Sequence, residues 1–301
     1  MVSPMNTFDF SRRSFDLLAP IYQESRPGYP KEVYDCVQSV KSFSAKSHIL
    51  EIGSGTGIAT KEIADRWHPL ITALEPGRNL RDAANLDLAG YKDISILGTS
   101  FEAYEGPDKK FDGIFSATAF HWIDPAVKYR KSFQLLADDG LLVVYWNYYG
   151  IQKGELGEEI ERLSMEFGMR SNATSVRKAK IKERNEEIEK SGIFHSIRQG
   201  LYRRNFQYPA PKYLELLMTF SDLSLLPGID TYRQKVGKLI ETLGNGSIGL
   251  EVITEVEIAV KKGENNRCRL IDIGCTDTKS RGIRTNCEIR GCLEYPMPLD
   301  E

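Results

Sequence analysis

The sequence predicts an α/β chain built on a mostly parallel sheet with helices on both faces. Three observations carry that prediction. Short apolar runs of strand length alternate with segments of helical spacing from residue 48 to residue 147. The first run ends in a glycine-rich turn, Gly53-Ser54-Gly55-Thr56-Gly57, that leads straight into a helical segment. The next run ends in an acid, Glu75, about twenty residues beyond that turn, where doubly wound folds hold ribose hydroxyls.

The elements follow in order. Residues 8–45 show helical spacing around Phe15, Leu18, Ile21 and Tyr22 and again at Val33, Cys36, Val37 and Val40, with Pro27 and Pro30 as the break. Ile49-Leu50-Glu51-Ile52 opens a buried strand over 48–53, followed by helix 57–67, strand 70–75, helix 79–87, strand 93–98, strand 111–117, helix 125–136 and strand 140–147. Helix 155–168 precedes the polar stretch Ser171 to Ser175 and the basic run Arg177 to Arg184. Glu183, Glu186, Glu187 and Glu189 balance that run within two turns, so it reads as a solvated helix face rather than an RNA surface. Helix 182–191 stops at Gly192; residues 196–208 alternate loosely and 249–261 strictly, as strands, with helices at 211–220 and 230–243 between them. Asp112 is read as structural. Residues 264–301 mix charge, Gly, Cys and Pro without periodicity and are expected to form a loosely packed extension. Leu270 to Cys275 faintly repeats the first strand but lacks the later glycines.

Composition narrows the function classes. With 301 residues the chain can bury one large or two small cores, and a net charge of −2 gives no electrostatic case for tight nucleic-acid binding. Asp9, Arg12, Arg13, Asp16 and Glu24 interrupt any signal-peptide core, and no apolar run approaches the roughly 18 residues of a membrane span. A soluble, cytoplasmic protein is expected. Four of the five cysteines, Cys268, Cys275, Cys287 and Cys292, lie in the last forty residues without a C-x-x-C pair or a histidine among them, which favours free thiols over a metal site.

The glycine turn is the chemical focus. Without a Cβ these residues can take positive φ and let a ligand lie on the backbone, while the first N–H groups of the next helix point at it. The turn is a socket for a small polar or anionic group. Ile58 stands where the dinucleotide fingerprint wants its third glycine, and no Gly-Lys-Ser/Thr follows, so neither that fingerprint nor a P-loop is present. Glu75, an acceptor-only group when ionised, suits a vicinal diol. In such sheets ligands bind at the carboxyl ends of strands, which here places Glu51 and Gly53, Glu75, Thr99-Ser100-Phe101 and Ala117 to Trp122 around one crevice.

Taken together, ILEIGSGTG (49–57), ALEPG (73–77), FDGIFSATAFHWID (111–124), LLADDGLLVVYW (135–146) and the leading RPGYP (26–30) resemble the class I S-adenosylmethionine-dependent methyltransferases of the small-molecule, trans-aconitate methyltransferase-like group, over residues 8–262. The resemblance implies a Rossmann-like, seven-stranded, mostly parallel sheet of order 3-2-1-4-5-7-6, its last strand antiparallel. It also implies a methyltransferase domain over 1–262, with cap elements at 8–45, 149–190 and 209–245, and an extension over 263–301. S-adenosyl-L-methionine would be the cofactor, bound by Glu51, Gly53, Gly55, Gly57, Glu75, Ser100, Phe101 and Ala117. Tyr22, Arg26, Tyr29, His121 and Trp122 would face a small-molecule acceptor.

Methyl transfer from a sulfonium is an in-line displacement that needs orientation and exclusion of water more than acid–base work. Well-oriented reactants gain effective molarities of roughly 10⁵ to 10⁸ M. No metal is required. His121 is the candidate catalytic group: its imidazole can take a proton from a hydroxyl or amine acceptor, wall the site, or serve structure alone. Arg26, beside aromatics, either belongs to a solvated capping helix or holds an acceptor carboxylate by a bidentate pair. A tRNA or protein methyltransferase and a non-catalytic cofactor-binding module are the alternatives to a small-molecule enzyme.

Overall fold

The computed structural model describes residues 16, 18–169, 182–184, 186–220, 223 and 226–263. Phe15, the Ser171 to Ser175 stretch, residues 177–181 of the basic run and the 264–301 extension with its four cysteines lie outside them. In chain order the elements are α1 (Ala19–Ser25), α2 (Lys31–Val40), β1 (His48–Ile52), α3 (Ile58–Trp67), β2 (Leu70–Leu74), α4 (Arg78–Asp87), β3 (Ile94–Leu97) and β4 (Phe111–Ala117). After a 3₁₀ turn (Phe120–Trp122) come α5 (Pro125–Leu135), β5 (Leu136–Ile151), α6 (Glu155–Glu166), β6 (Phe194–Pro209), α7 (Ala210–Met218), α8 (Ile229–Leu243) and β7 (Ser247–Lys261).

The strands make one sheet in the order β3-β2-β1-β4-β5-β7-β6. β1 to β5 pair in parallel, and β7 runs antiparallel to both β5 and β6. Both faces of the parallel part are buried, which is why its strands read as nearly continuous apolar runs. On one face Ile49, Ile71, Phe115, Val143 and Tyr145 meet Val33, Tyr34, Val37, Ile63 and Trp67 from α2 and α3. On the other, Leu50, Leu74, Ile114, Leu142, Val144 and Trp146 meet Tyr129 and Leu135 of α5 with Phe120 and Ile123. Period-two alternation sends Tyr145 to one face and Trp146 to the other, a division that decides which residues reach the site.

Local chemistry sets the ends of these elements. Asp124 caps α5 by accepting from Ala126 N at 2.9 Å, with Pro125 in the first turn, where its missing N–H costs nothing. Asp112 accepts from His48 N at 2.8 Å and pairs with Lys41, tying the start of β4 to the start of β1. Gly192, at φ 74°, follows the helical residues 186–190, and Glu186 there forms i,i+4 pairs with Lys182 and Lys190.

The last three strands are longer than the sequence suggests. β5 starts at Leu136 rather than Gly140 and runs to Ile151, because Leu136 pairs with Phe111 across a bulge in the register. Sixteen residues at about 3.3 Å each carry β5 well past β1. Beyond the parallel part, β5, β6 and β7 become the floor of a third core, where Tyr208, Ile248 and Leu250 pack against Ile160, Tyr213, Leu216, Val236 and Ile240 of α6, α7 and α8. This cap therefore grows out of the same sheet, and it meets the leader through α1 and α7.

Candidate functional site

β1 delivers its chain to the turn at the middle of the sheet. Gly53 N and Ser54 N both donate to Leu74 O, at 2.9 and 3.1 Å, so the turn hangs from the end of β2. Gly53, Gly55 and Gly57 have φ of 69°, 58° and 87°. A Cβ at Gly53 would stand 2.5 Å from Ala119 Cβ and one at Gly57 2.8 Å from Leu88 Cδ1, whereas one at Gly55 would meet nothing within 4 Å. Two glycines let the turn pack; the third leaves open space above the backbone.

Polar groups without partners surround this turn. Both carboxylate oxygens of fully buried Glu51, Ser54 Oγ, Thr56 Oγ1 and Thr60 Oγ1 are buried and unbonded. Burial pushes the Glu51 carboxyl up to about 7; Thr60 stands close enough to ease it, though outside hydrogen-bonding geometry, and the charges of Glu62 and Glu75 add to the rise. Orphaned groups of this kind are costly unless a ligand meets them. Glu75, at the end of β2, accepts from Gly55 N at 2.9 Å and from Gly77 N at 2.7 Å. Burial raises its pKa against the pull of those two N–H groups. It thus buttresses the turn, a role the sequence alone does not disclose.

Beside the turn lies a narrow cleft of about 40 Å³, walled by Gly53 to Thr56, Ile58, Ala59 and Ala117 on one side and by Tyr22, Arg26, Pro27 and Tyr29 on the other. Tyr29 is pinned in three ways. Its N–H donates to Glu62 at 3.0 Å, its hydroxyl lies 2.9 Å from Thr118 Oγ1, and its ring meets Tyr145 edge-on at 4.7 Å. Arg26 donates from Nε and Nη2 to Thr219 Oγ1 and O, at 3.0 and 2.7 Å. Thr118 sits at φ 56°, uncommon for a β-branched residue and typical of strain held at a site.

The cleft thus unites Tyr22, Arg26, Tyr29, Gly53, Gly55 and Ala117, with Glu51, Gly57 and Glu75 behind or beside the turn. Ser100, Phe101, His121 and Trp122 are not in its lining. Ser100 accepts from Ala103 N in the turn after β3, and Phe101 is core, with Lys131 Nζ 5.6 Å from its ring. His121 is exposed, and its Nδ1 accepts from Trp146 Nε1 at 3.2 Å on the opposite face of the sheet. A neutral ring held this way carries its proton on Nε2, so it can accept another only at Nδ1, by giving up the indole.

Comparisons with known proteins bear on the fold. Residues 50–144 match the family model described as a methyltransferase domain. An overlay on phosphoethanolamine N-methyltransferase 2 of Haemonchus contortus has a TM-score of 0.51 at 15% identity, covering 87% of this chain and 62% of that one. The S-adenosylmethionine-dependent methyltransferase of Geobacter sulfurreducens, solved with S-adenosyl-L-homocysteine, gives 0.50 at 11% identity, covering 83% and 98%. The chain is similar to a methyltransferase domain over residues 50–144, and its sheet has the fold of the overlaid methyltransferases. Its sheet order matches that implied by the motifs, and the overlays at these identities speak for fold alone. An uncharacterized methyltransferase of Mycobacterium tuberculosis is 30% identical over 152 residues, 50% of this chain and 59% of that protein, so the chain spans under two thirds of that relative.

The cleft also brings together residues that no local pattern announces. Asn147 and Tyr149 of β5 line the cleft, and Thr254 of β7 donates to Asn147 Oδ1 at 2.6 Å. Glu62 of α3 accepts from both Tyr29 N and Tyr34 Oη, and Arg204 of β6 donates to Gly28 O, so the strap 26–30 is fastened from several elements. Among the described residues no helix is long and apolar enough to cross a membrane, and no group of three His, Cys, Asp or Glu is placed to hold a metal.

Proposed function

We propose that the chain is an S-adenosyl-L-methionine-dependent methyltransferase acting on a small-molecule acceptor. The observation that carries this is the unpartnered Glu51 carboxylate buried beneath a glycine turn whose Gly55 opens on the cleft. A zwitterionic, sugar-bearing ligand fits that donor set. Glu51 would take its ammonium end, the turn's N–H groups and the Ser54 and Thr56 hydroxyls its polar atoms, and Glu75, through lone pairs not used on Gly55 and Gly77, its ribose diol.

S-adenosyl-L-methionine, when bound, supplies a methyl carbon whose bond to sulfur breaks as an acceptor lone pair attacks from the opposite side. The protein's share is orientation and dryness. Tyr22, Arg26 and Tyr29 close the cleft from the leader, and Asn147 and Tyr149 complete the wall from β5. With His121 on the other face and Nδ1 engaged, this reading gives it no proton transfer in the cleft. The domain is taken as 1–262 with 263–301 as an extension, a cytoplasmic setting is favoured, and a net charge of −2 argues against RNA as the acceptor.

The test is titration calorimetry with S-adenosyl-L-homocysteine, followed by an acceptor screen that reads its release from S-adenosyl-L-methionine. Saturable binding and acceptor-dependent release are expected. Binding without turnover across a broad panel would favour a non-catalytic module, and no binding would remove the reading.

A further inference from the structure

Behind the glycine turn a line of acids and hydroxyls runs through the core to the surface. It starts at Glu51, which is fully buried and stands outside the cleft lining, so its carboxyl has no direct way to cleft water. Thr60 of α3 lies beside it and is itself fully buried, a dead end on that side. On the other side stands Tyr145 of β5, fully buried, with a hydroxyl that has no hydrogen-bond partner.

Tyr145 lies between two acids. Burial pushes its hydroxyl well above the usual phenol range, the Glu51 charge adds to the rise, and Tyr34 of α2 eases it from close by, though outside hydrogen-bonding geometry. The Tyr34 and Tyr145 rings meet edge-on at 6.2 Å, and Tyr29 packs edge-on against Tyr145 as well. Tyr34 Oη in turn donates to Glu62 Oε2 at 2.6 Å. Of Glu51, Tyr145, Tyr34 and Glu62, only Glu62 is partly exposed. Burial pushes the Glu62 carboxyl up, while Tyr34, Tyr29 N and the Arg204 guanidinium pull it back, so it can stand ionised at the surface end.

The charges of Glu62 and Glu75 both favour a neutral Glu51. A neutral Glu51 must shed its proton before it can hold an ammonium as a carboxylate, and with protein on every side that proton needs an internal exit. A hydroxyl both donates and accepts, and its O–H rotates to suit. One left without a partner in the interior calls for an explanation.

We propose that Tyr145 and Tyr34 form a proton path from Glu51 to Glu62, through which arrival of the donor's ammonium end discharges Glu51 to solvent. The inference rests on the reading of the cleft as a methyl-donor site. Glu51 gives its proton to Tyr145 Oη as Tyr145 gives its own to Tyr34 Oη and Tyr34 its own to Glu62. Three O–H bonds break and three form, both tyrosines end neutral, and Glu62 passes the proton to water. Movement of the Tyr145 side chain closes the gaps on either side of it. Because burial holds both phenols well up, the transfers run together and form no free phenolate.

The test follows S-adenosyl-L-homocysteine binding by stopped flow in weak buffer, with an indicator dye for proton release and tryptophan fluorescence for ligand uptake. Calorimetry in buffers of different ionisation enthalpy counts protons at equilibrium. Wild type should release close to one proton per ligand at about pH 6 and few at about pH 8.5, and saturated Glu51→Gln none. Tyr145→Phe and Tyr34→Phe keep the rings and remove the hydroxyls. At about pH 6 each should slow proton release about tenfold or more. At about pH 8.5, with Glu51 already ionised, each should take up ligand at the wild-type rate. Tyr145→Phe breaks no hydrogen bond and serves alone if Tyr34→Phe does not fold. The proposal is overturned if wild type binds without releasing a proton at the lower pH, or if Tyr145→Phe releases it as fast as wild type. Equal slowing at both pH values marks a packing effect and overturns it too. If S-adenosyl-L-homocysteine does not bind at all, the donor-site reading fails first.

Discussion

Glu75 Oε2 accepts from Gly55 N at 2.9 Å, so the carboxylate at the end of β2 is wired to the backbone of the turn that closes β1. One residue thereby supports the turn and faces the position proposed for a ribose. Glu75→Ala should lower donor affinity by about 1.5–3 kcal/mol and also lower the melting temperature, since Gly55 and Gly77 lose their acceptor. Glu75→Gln, which keeps one acceptor oxygen, should recover stability better than affinity. Calorimetry beside thermal unfolding checks both, and unchanged affinity in the alanine variant would refute the assignment.

Two glycines of the turn should respond differently to alanine. At Gly53 both the positive φ and the 2.5 Å approach of Ala119 Cβ oppose a side chain, so Gly53→Ala should cost on the order of 2 kcal/mol or more in chemical unfolding. At Gly55 only the backbone conformation opposes it, because the added methyl enters open space. Gly55→Ala should cost about 1 kcal/mol of stability and a larger share of donor affinity.

Acid should stabilise the ligand-free protein and weaken donor binding. The Glu51 carboxyl, up at about 7 when folded, titrates near about 4.3 when unfolded, so folding takes up a proton between those values. The stability that the neutral form confers is complete below about 4.3 and is lost as pH rises through about 7. Glu255 and Glu257, also raised to about 7 by burial, act in the same direction. Glu51→Gln should therefore flatten part of the stability profile and remove the rise in donor affinity expected between about pH 6 and 8. Denaturant midpoints and calorimetry across that range measure the two effects.

His121 should prove dispensable for proton transfer. With Nδ1 accepting from Trp146 Nε1, His121→Ala should leave donor affinity unchanged, alter indole fluorescence, and remove no limb from the pH profile of kcat/KM. Loss of such a limb in the variant would restore the ring as a base.

The parallel sheet was legible because β1, β2 and β3 are short apolar runs closed by Gly53, Glu75 and Gly98, and Gly53-Ser54-Gly55-Thr56-Gly57 advertised the turn. The extension of β5 was not. Leu136-Ala137-Asp138-Asp139 carries turn residues, and only pairing of Leu136 with Phe111 makes it strand. Asn147 and Thr254 meet through an antiparallel register across 107 residues of chain, for which no local pattern exists. Arg26 was visible as a cation among aromatics, but Thr219, which takes one edge of its fork, is a property of the cap. His121 followed from adjacency to the end of β4, and the face it occupies depends on Trp146.

The measurement that bears most directly on the account is an experimental structure of the chain with S-adenosyl-L-homocysteine. The ligand's ammonium is expected within hydrogen-bond reach of Glu51, its backbone along Gly53 to Gly55 and its ribose at Glu75. A ligand seated elsewhere, or a Glu51 carboxylate still without a partner in the complex, would contradict it.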